Sequence, residues 1–118
     1  MATKMCTDIP QSKVLAGILP HESADMFYVA GKGEPMPIGN RMVACGNDDY
    51  DALGGHDVLC WSLAALISVV PNGIVMNKDC QNGKYHFSSA HMGTYVTADN
   101  PVDACYKMIL KLHELKIL

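Results

Sequence analysis

The segment Ile74–Ser89 limits the fold more than any other part of the chain. Asn82-Gly83 lies between two strand-like runs. Asn-Gly is the strongest short hairpin signal, because both central residues of a type I′ turn need a positive φ. A turn at these two residues pairs Gln81 with Lys84, Cys80 with Tyr85, and Asp79 with His86. One face then carries Ile74, Met76, Cys80, Tyr85 and Phe87, and the other carries Asn77, Asp79, Gln81, Lys84 and His86. Lys78 alone joins the apolar set, and its stem can lie along that surface. A one-residue slip would move every side chain to the opposite face, so the two faces are strongly specified. A third strand over Thr94–Thr97 follows a turn near Met92-Gly93. A sheet with one apolar face must be covered, and helices are the natural cover.

Three helices are readable. The last has the clearest start: Asn100 caps, Pro101 occupies the first helical position, and Asp103 lies in the first turn. Negative charge there suits the helix dipole, as Lys111 and Lys116 suit its far end. Val102, Cys105, Met108, Ile109, Leu112 and Leu115 form its main apolar stripe. The middle helix, Leu63–Val70, has Ser62 as N-cap and Pro71 as its stop. It is apolar nearly all round, which places it in the domain centre or under an oligomer contact. The first helix starts at Thr7 or Asp8, where Asp8 and Gln11 form a capping-box pattern and Pro10 is tolerated. Val14, Leu15, Ile18 and Leu19 are its apolar face, and Pro20 ends it.

Between the first two helices, His21–Asp25 is a connector of about one helical turn. Met26–Ala30 is a strand, and Gly31-Lys32-Gly33 is turn material. Glu34–Asn40, with Pro35, Pro37 and Gly39, is extended or looped and cannot be a central strand. Arg41–Cys45 is a weaker strand and Gly46–His56 a surface loop. The resulting class is α+β: one domain over residues 1–118, a mostly antiparallel sheet of three to five strands, and about three helices on one face.

Charge and composition exclude several functions. Lys and Arg number 9 against 12 Asp and Glu, for a net charge of −3. Arg41 is the only arginine. That balance argues against a nucleic-acid partner, whose phosphates need neutralising. A chain that is 49% hydrophobic and 18% charged is not a disordered polyelectrolyte. Its longest apolar run, Leu63–Pro71, falls far short of a bilayer span, so no membrane partner is expected. Five widely spaced cysteines without a Cys-x-x-Cys suggest reduced, mostly buried thiols and a cytoplasmic location.

No cofactor and no metal site is expected. His86 and His91 have an odd spacing, which puts them on opposite faces of a strand. His56 and Cys60 have helix-face spacing, but Gly54-Gly55 precedes them and no third ligand is evident. Asn47, Asp49 and Asp51 mimic the start of a calcium loop, yet Ala52 and Val58 stand where Gly and Glu are required. Gly31-Lys32-Gly33 lacks the spacing of a phosphate-binding loop. No catalytic residue is assigned.

Apolar surplus is the remaining signal. Eight methionines fit an adaptable core or a contact surface. On the last helix a second stripe runs Tyr106, Leu110, His113 and Ile117. It is either the margin of the core or a self-association surface. Leu110 lies on the line Asp103, Lys107, Leu110, Glu114, where a monomer would carry a polar side chain. The first reading is a non-enzymatic protein-interaction or accessory domain that self-associates as a homodimer. The alternative is a small-molecule-binding or thiol-dependent enzyme built on the Gly46–Cys60 loop, with His56, Asp57 and Cys60 as its site.

Three segments together carry a resemblance: Gln11-Ser12-Lys13 through Glu22-Ser23-Ala24-Asp25-Met26, Cys60-Trp61-Ser62-Leu63-Ala64-Ala65-Leu66, and Asp99-Asn100-Pro101-Val102-Asp103-Ala104. They resemble small uncharacterised proteins encoded by phages, prophages and related bacterial mobile elements. The resemblance covers about half the chain and carries no catalytic motif. It implies a bacterial or phage setting and an α+β fold. In that fold a strand enters a Trp-Ser-capped helix, a hairpin follows, and an Asn-Pro-capped helix comes last.

Overall fold

A computed structural model describes residues 4–28, 34–37, 58–79, 81–89 and 93–118. The expected turn at Gly31–Gly33, the strand at Arg41–Cys45, the loop at Gly46–His56 and His91 lie outside these residues. The described chain is α+β. In order it forms α1 (Ile9–Ala16), a 3₁₀ turn (His21–Ser23), β1 (Met26–Tyr28), β2 (Pro35–Pro37), β3 (Val58–Cys60), α2 (Leu63–Val69), β4 (Ile74–Lys78), β5 (Tyr85–Ser89), β6 (Thr94–Ala98) and α3 (Pro101–Glu114). The strands divide into two antiparallel sheets, ordered β2-β1-β3 and β4-β5-β6. Two sheets therefore stand where one was expected, each of three strands. The proline-bearing β2 lies on an edge, as its missing N–H groups require.

Local chemistry sets the helix starts. The Asp8 carboxylate accepts from the Gln11 N–H at 2.8 Å, and the Gln11 side chain accepts from the Asp8 N–H at 3.1 Å. Ser62 Oγ accepts from the Ala65 N–H at 3.2 Å. Asn100 Oδ1 accepts from the Asp103 N–H at 2.8 Å. Each cap satisfies a backbone donor that the helix itself cannot.

One continuous core joins the two sheets. Phe27 and Leu59 enter it from the first sheet, Phe87 and Ala98 from the second, and Trp61 and Leu66 from the β3–α2 corner. Val102, Cys105, Met108, Ile109 and Leu112 of α3 are fully buried in it. Ala104 is fully buried as well, so the buried face of α3 is wider than the main stripe, while Leu115 at its end is 48% exposed. On the opposite side of β1 and β3, Tyr28 and Cys60 meet Cys6 in a second, smaller cluster.

The middle helix is not enclosed in the domain centre, the first of its two expected places. It packs on α3 through Ala65 and Leu66, but Ala64 is exposed and Ile67 is 42% exposed. A two-turn helix laid against one neighbour buries one face, whatever the composition of the other.

The hairpin keeps its expected faces and shifts its register by two. Tyr85 pairs with Lys78 and His86 with Asn77. Asp79 N donates to Lys84 O and Gly83 N to Asp79 O, each at 2.8 Å. The chain thus reverses between Asp79 and Lys84. Gly83 has φ +72°, whereas Asn82 is not in the left-handed region, so the type I′ condition is not met. The Asp79 carboxylate accepts from Gln81 N, and the Asn82 side chain accepts from Lys84 N. These side-chain bonds stabilise the wider turn.

Candidate functional site

The second sheet is covered on one side only among the described elements, by α3 against β5 and β6. Strand alternation puts Val75, Asn77, His86, Ser88, Tyr95 and Thr97 on the other side. Val75, Ser88 and Tyr95 form one cross-strand row, and Asn77, His86 and Thr97 the next. Val75 is 53% exposed and Tyr95 60%.

Tyr95 lies against His86, with ring centroids 5.4 Å apart and planes inclined by 22°. Its hydroxyl is 2.6 Å from His86 Nδ1. His86 Nε2 lies 3.6 Å from the Asp79 carboxylate. The backbone N–H of Gln81, with that of Asn82 and the His86 imidazole, holds the Asp79 carboxyl below its usual range. The result is an ordered aromatic and imidazole platform on an open face.

Among the described residues, no strand pairs with the edge beside this platform. β4 is a terminal strand of its sheet, and it pairs with β5 over five residues without a bulge. Met76 is 44% exposed, and Lys78 is the only charged residue of the strand. Edge strands are ordinarily blunted by lysines, prolines or bulges.

A polar cavity of about 350 Å³ lies elsewhere, between α1, β6 and the start of α3. Gln11, Asp103, Tyr106, Thr97 and the pair Lys84–Asp99 line it. Asp103 in its wall is already engaged by Lys4 at 2.7 Å and by Gln11 at 2.8 Å. Lys107 is held by the Thr97 carbonyl at 2.9 Å. Asp103 and Lys107 are thus already engaged within the chain, whereas the buried Thr97 Oγ1 has no hydrogen-bond partner among the described residues.

The residues singled out from the sequence fall in different places. Tyr106 is half-buried and packs against the main core, and Leu110 is half-buried too. His113 and Ile117 are exposed, and His113 Nδ1 is 2.9 Å from the Leu118 carbonyl. Tyr106 thus belongs to the margin of the chain's own core, whereas His113 and Ile117 face outward. His56 and Asp57 lie outside the described residues. Cys60 is fully buried, and its burial, with Cys6 and Asp25 nearby, pushes its thiol pKa upward. A thiol held protonated and fully buried is not placed to attack a substrate arriving from solvent. Among the described residues, no three His, Cys, Asp or Glu side chains group to hold a metal ion, and no helix is long and apolar enough to cross a membrane.

Val75 and Tyr95 were not among the sequence candidates. Their signal is the alternation of the third strand, which sets Tyr95 and Thr97 opposite Val96 and Ala98. No family model, curated protein or solved structure matches the chain.

Proposed function

We propose that this chain is a non-enzymatic interaction domain that self-associates through the edge and outer face of β4. The observation that carries this reading is the β4 edge, which has no strand partner among the described residues and is flanked by exposed Val75 and Met76. A second copy is the occupant its chemistry suits. An antiparallel two-fold pairing centred on Met76 sets Val75 opposite Asn77 and Ile74 opposite Lys78 of the other copy. The two Lys78 ammonium groups then lie at opposite ends, so like charges do not meet across the ladder. The contact is isologous, the commonest form of small-protein assembly. The helix stripe is the weaker surface, since Tyr106 already packs inward.

Sedimentation equilibrium at high micromolar concentration tests this. The wild-type chain is expected to sediment as a dimer. Val75→Lys should shift it toward monomer without changing its circular dichroism, because residue 75 is exposed. Leu110→Asp should leave the dimer in place. A monomeric wild type, or a dimer broken by Leu110→Asp and untouched by Val75→Lys, would overturn the proposal.

A further inference from the structure

The small second cluster contains a feature that the interaction reading does not use. Cys6 Sγ and Cys60 Sγ are 3.9 Å apart, with the Cys60 thiol directed at Cys6. The two residues are far apart in sequence and are brought together by strand geometry. Cys6 forms an isolated antiparallel bridge with Ser62. Cys60, two residues from Ser62, therefore shows its side chain on the same face as that of Cys6. Thr7 N donating to Trp61 O at 3.0 Å and Trp61 N donating to Thr7 Oγ1 at 3.1 Å hold the backbones in this register. The Tyr28 hydroxyl, 3.7 Å from Cys6 Sγ, donates to the Thr7 carbonyl at 2.8 Å and fixes the third wall.

We propose that Cys6 and Cys60 form an oxidation site, in which a peroxide converts the two thiols to a disulfide that ties the N-terminal segment to β3. Sulfur–sulfur contact must close to about 2.0 Å, a movement within reach of side-chain rotation. The oxidant must be small, because Cys60 is fully buried and Cys6 is 4% exposed. Hydrogen peroxide meets that condition. Cys6, the more accessible thiol, loses its proton and attacks one peroxide oxygen. The O–O bond breaks, the sulfur becomes a sulfenic acid, and one water leaves. Cys60 sulfur then attacks the Cys6 sulfur, the S–O bond breaks, and the hydroxyl leaves with the Cys60 proton as a second water. The two thiols lose two electrons together, and the peroxide gains them. The first step is slow because the peroxide must reach a sulfur whose residue is only 4% exposed. Cys105 supplies an internal control: it is fully buried in the main core, and burial pushes its thiol up to about 12.

The test is exposure of the folded wild-type chain to millimolar hydrogen peroxide, followed by alkylation under denaturing conditions and peptide mapping. The expected product is about 2 Da lighter, with Cys6 and Cys60 peptides joined and Cys105 still alkylated. Dithiothreitol should restore the original mass. The joined chain should unfold at a midpoint higher by roughly 5–15 °C, because the link closes a long loop. Cys6→Ser should abolish the mass change at Cys60. The proposal is overturned if Cys6 and Cys60 remain separately alkylated, if either joins another cysteine, if Cys105 is oxidised in step with them, or if the joined chain unfolds at a lower temperature.

Discussion

Asp103→Asn isolates one charge at a point where three side chains converge. The Asp103 carboxylate accepts from Lys4 Nζ at 2.7 Å, Gln11 Nε2 at 2.8 Å and Asn100 Nδ2 at 2.8 Å. It also sits in the first turn of α3, where negative charge meets the positive end of the dipole. The amide keeps the size and one acceptor oxygen, so the substitution removes charge with little change of shape. The Lys4 and Asp103 side chains are 24% and 31% exposed, and solvent screening holds their pairing to about 0.5–1 kcal/mol. The dipole contributes another 0.3–1 kcal/mol or so. Weakening the two amide bonds adds a few tenths each, for a total of roughly 1–2.5 kcal/mol. With a urea m-value of about 2 kcal/mol/M, the midpoint should fall by roughly 0.5–1.3 M at neutral pH. The pH dependence gives the sharper check. Burial would raise the Asp103 pKa, but Lys4, Gln11 and Asn100 more than offset it and hold the pKa below its usual 3.8. A lowered folded-state pKa means the stabilisation is present above the unfolded value and is lost as pH falls through the folded one. The gap between wild type and Asp103→Asn should therefore be full near neutrality and shrink below about pH 3.8. Equal midpoints at neutral pH, or a gap undiminished at about pH 2.5, would refute the assignment of this stability to the charge.

Asn100→Ala should lower stability by roughly 0.5–2 kcal/mol in equilibrium denaturation, since it removes the acceptor for the Asp103 N–H and a donor to its carboxylate. Phe87→Ala should cost about 3–5 kcal/mol, because Phe87 is 2% exposed between β5 and α3, and thermal unfolding of the variant measures it.

The elements whose signals are local were legible in the sequence. Asp8 with Gln11, Ser62, and Asn100 with Pro101 each mark a helix start within a few residues, and all three cap as their chemistry dictates. The hairpin faces were legible because alternation has a period of two, which a two-residue register shift preserves. The register itself was not, because the Asp79 and Asn82 side chains compete with the Asn-Gly turn for the backbone donors. Val58–Cys60 was not legible in the residue pattern, because a three-residue strand has too few positions to show a period; only the resemblance implied a strand entering the Trp-Ser-capped helix. The division into two sheets was equally hidden, since strand partners are chosen in space. The same reason separates the candidate sites. Tyr95 meets His86, and Cys6 meets Cys60, only after the ladders have formed.

The N-terminal segment shows how these separate readings depend on one another. Lys4 binds Asp103 at the start of α3, Thr7 binds Trp61, and Cys6 faces Cys60 at the end of β3. Residues 4–8 therefore tie the first sheet to the helix that covers the second. Lys4 depends on its carboxylates: burial would lower its pKa, and Asp103 and Asp8 raise it above the usual 10.5. Loss of the Asp103 charge should loosen this segment before it disturbs the core, because Cys105, Met108 and Ile109 are fully buried without it. Loosening would expose Cys6, the thiol that must react first. Asp103→Asn should thus speed peroxide cross-linking of Cys6 to Cys60 while slightly destabilising the chain. A variant that unfolds more easily yet cross-links at the wild-type rate would show that the Lys4–Asp103 contact does not govern access to the thiols.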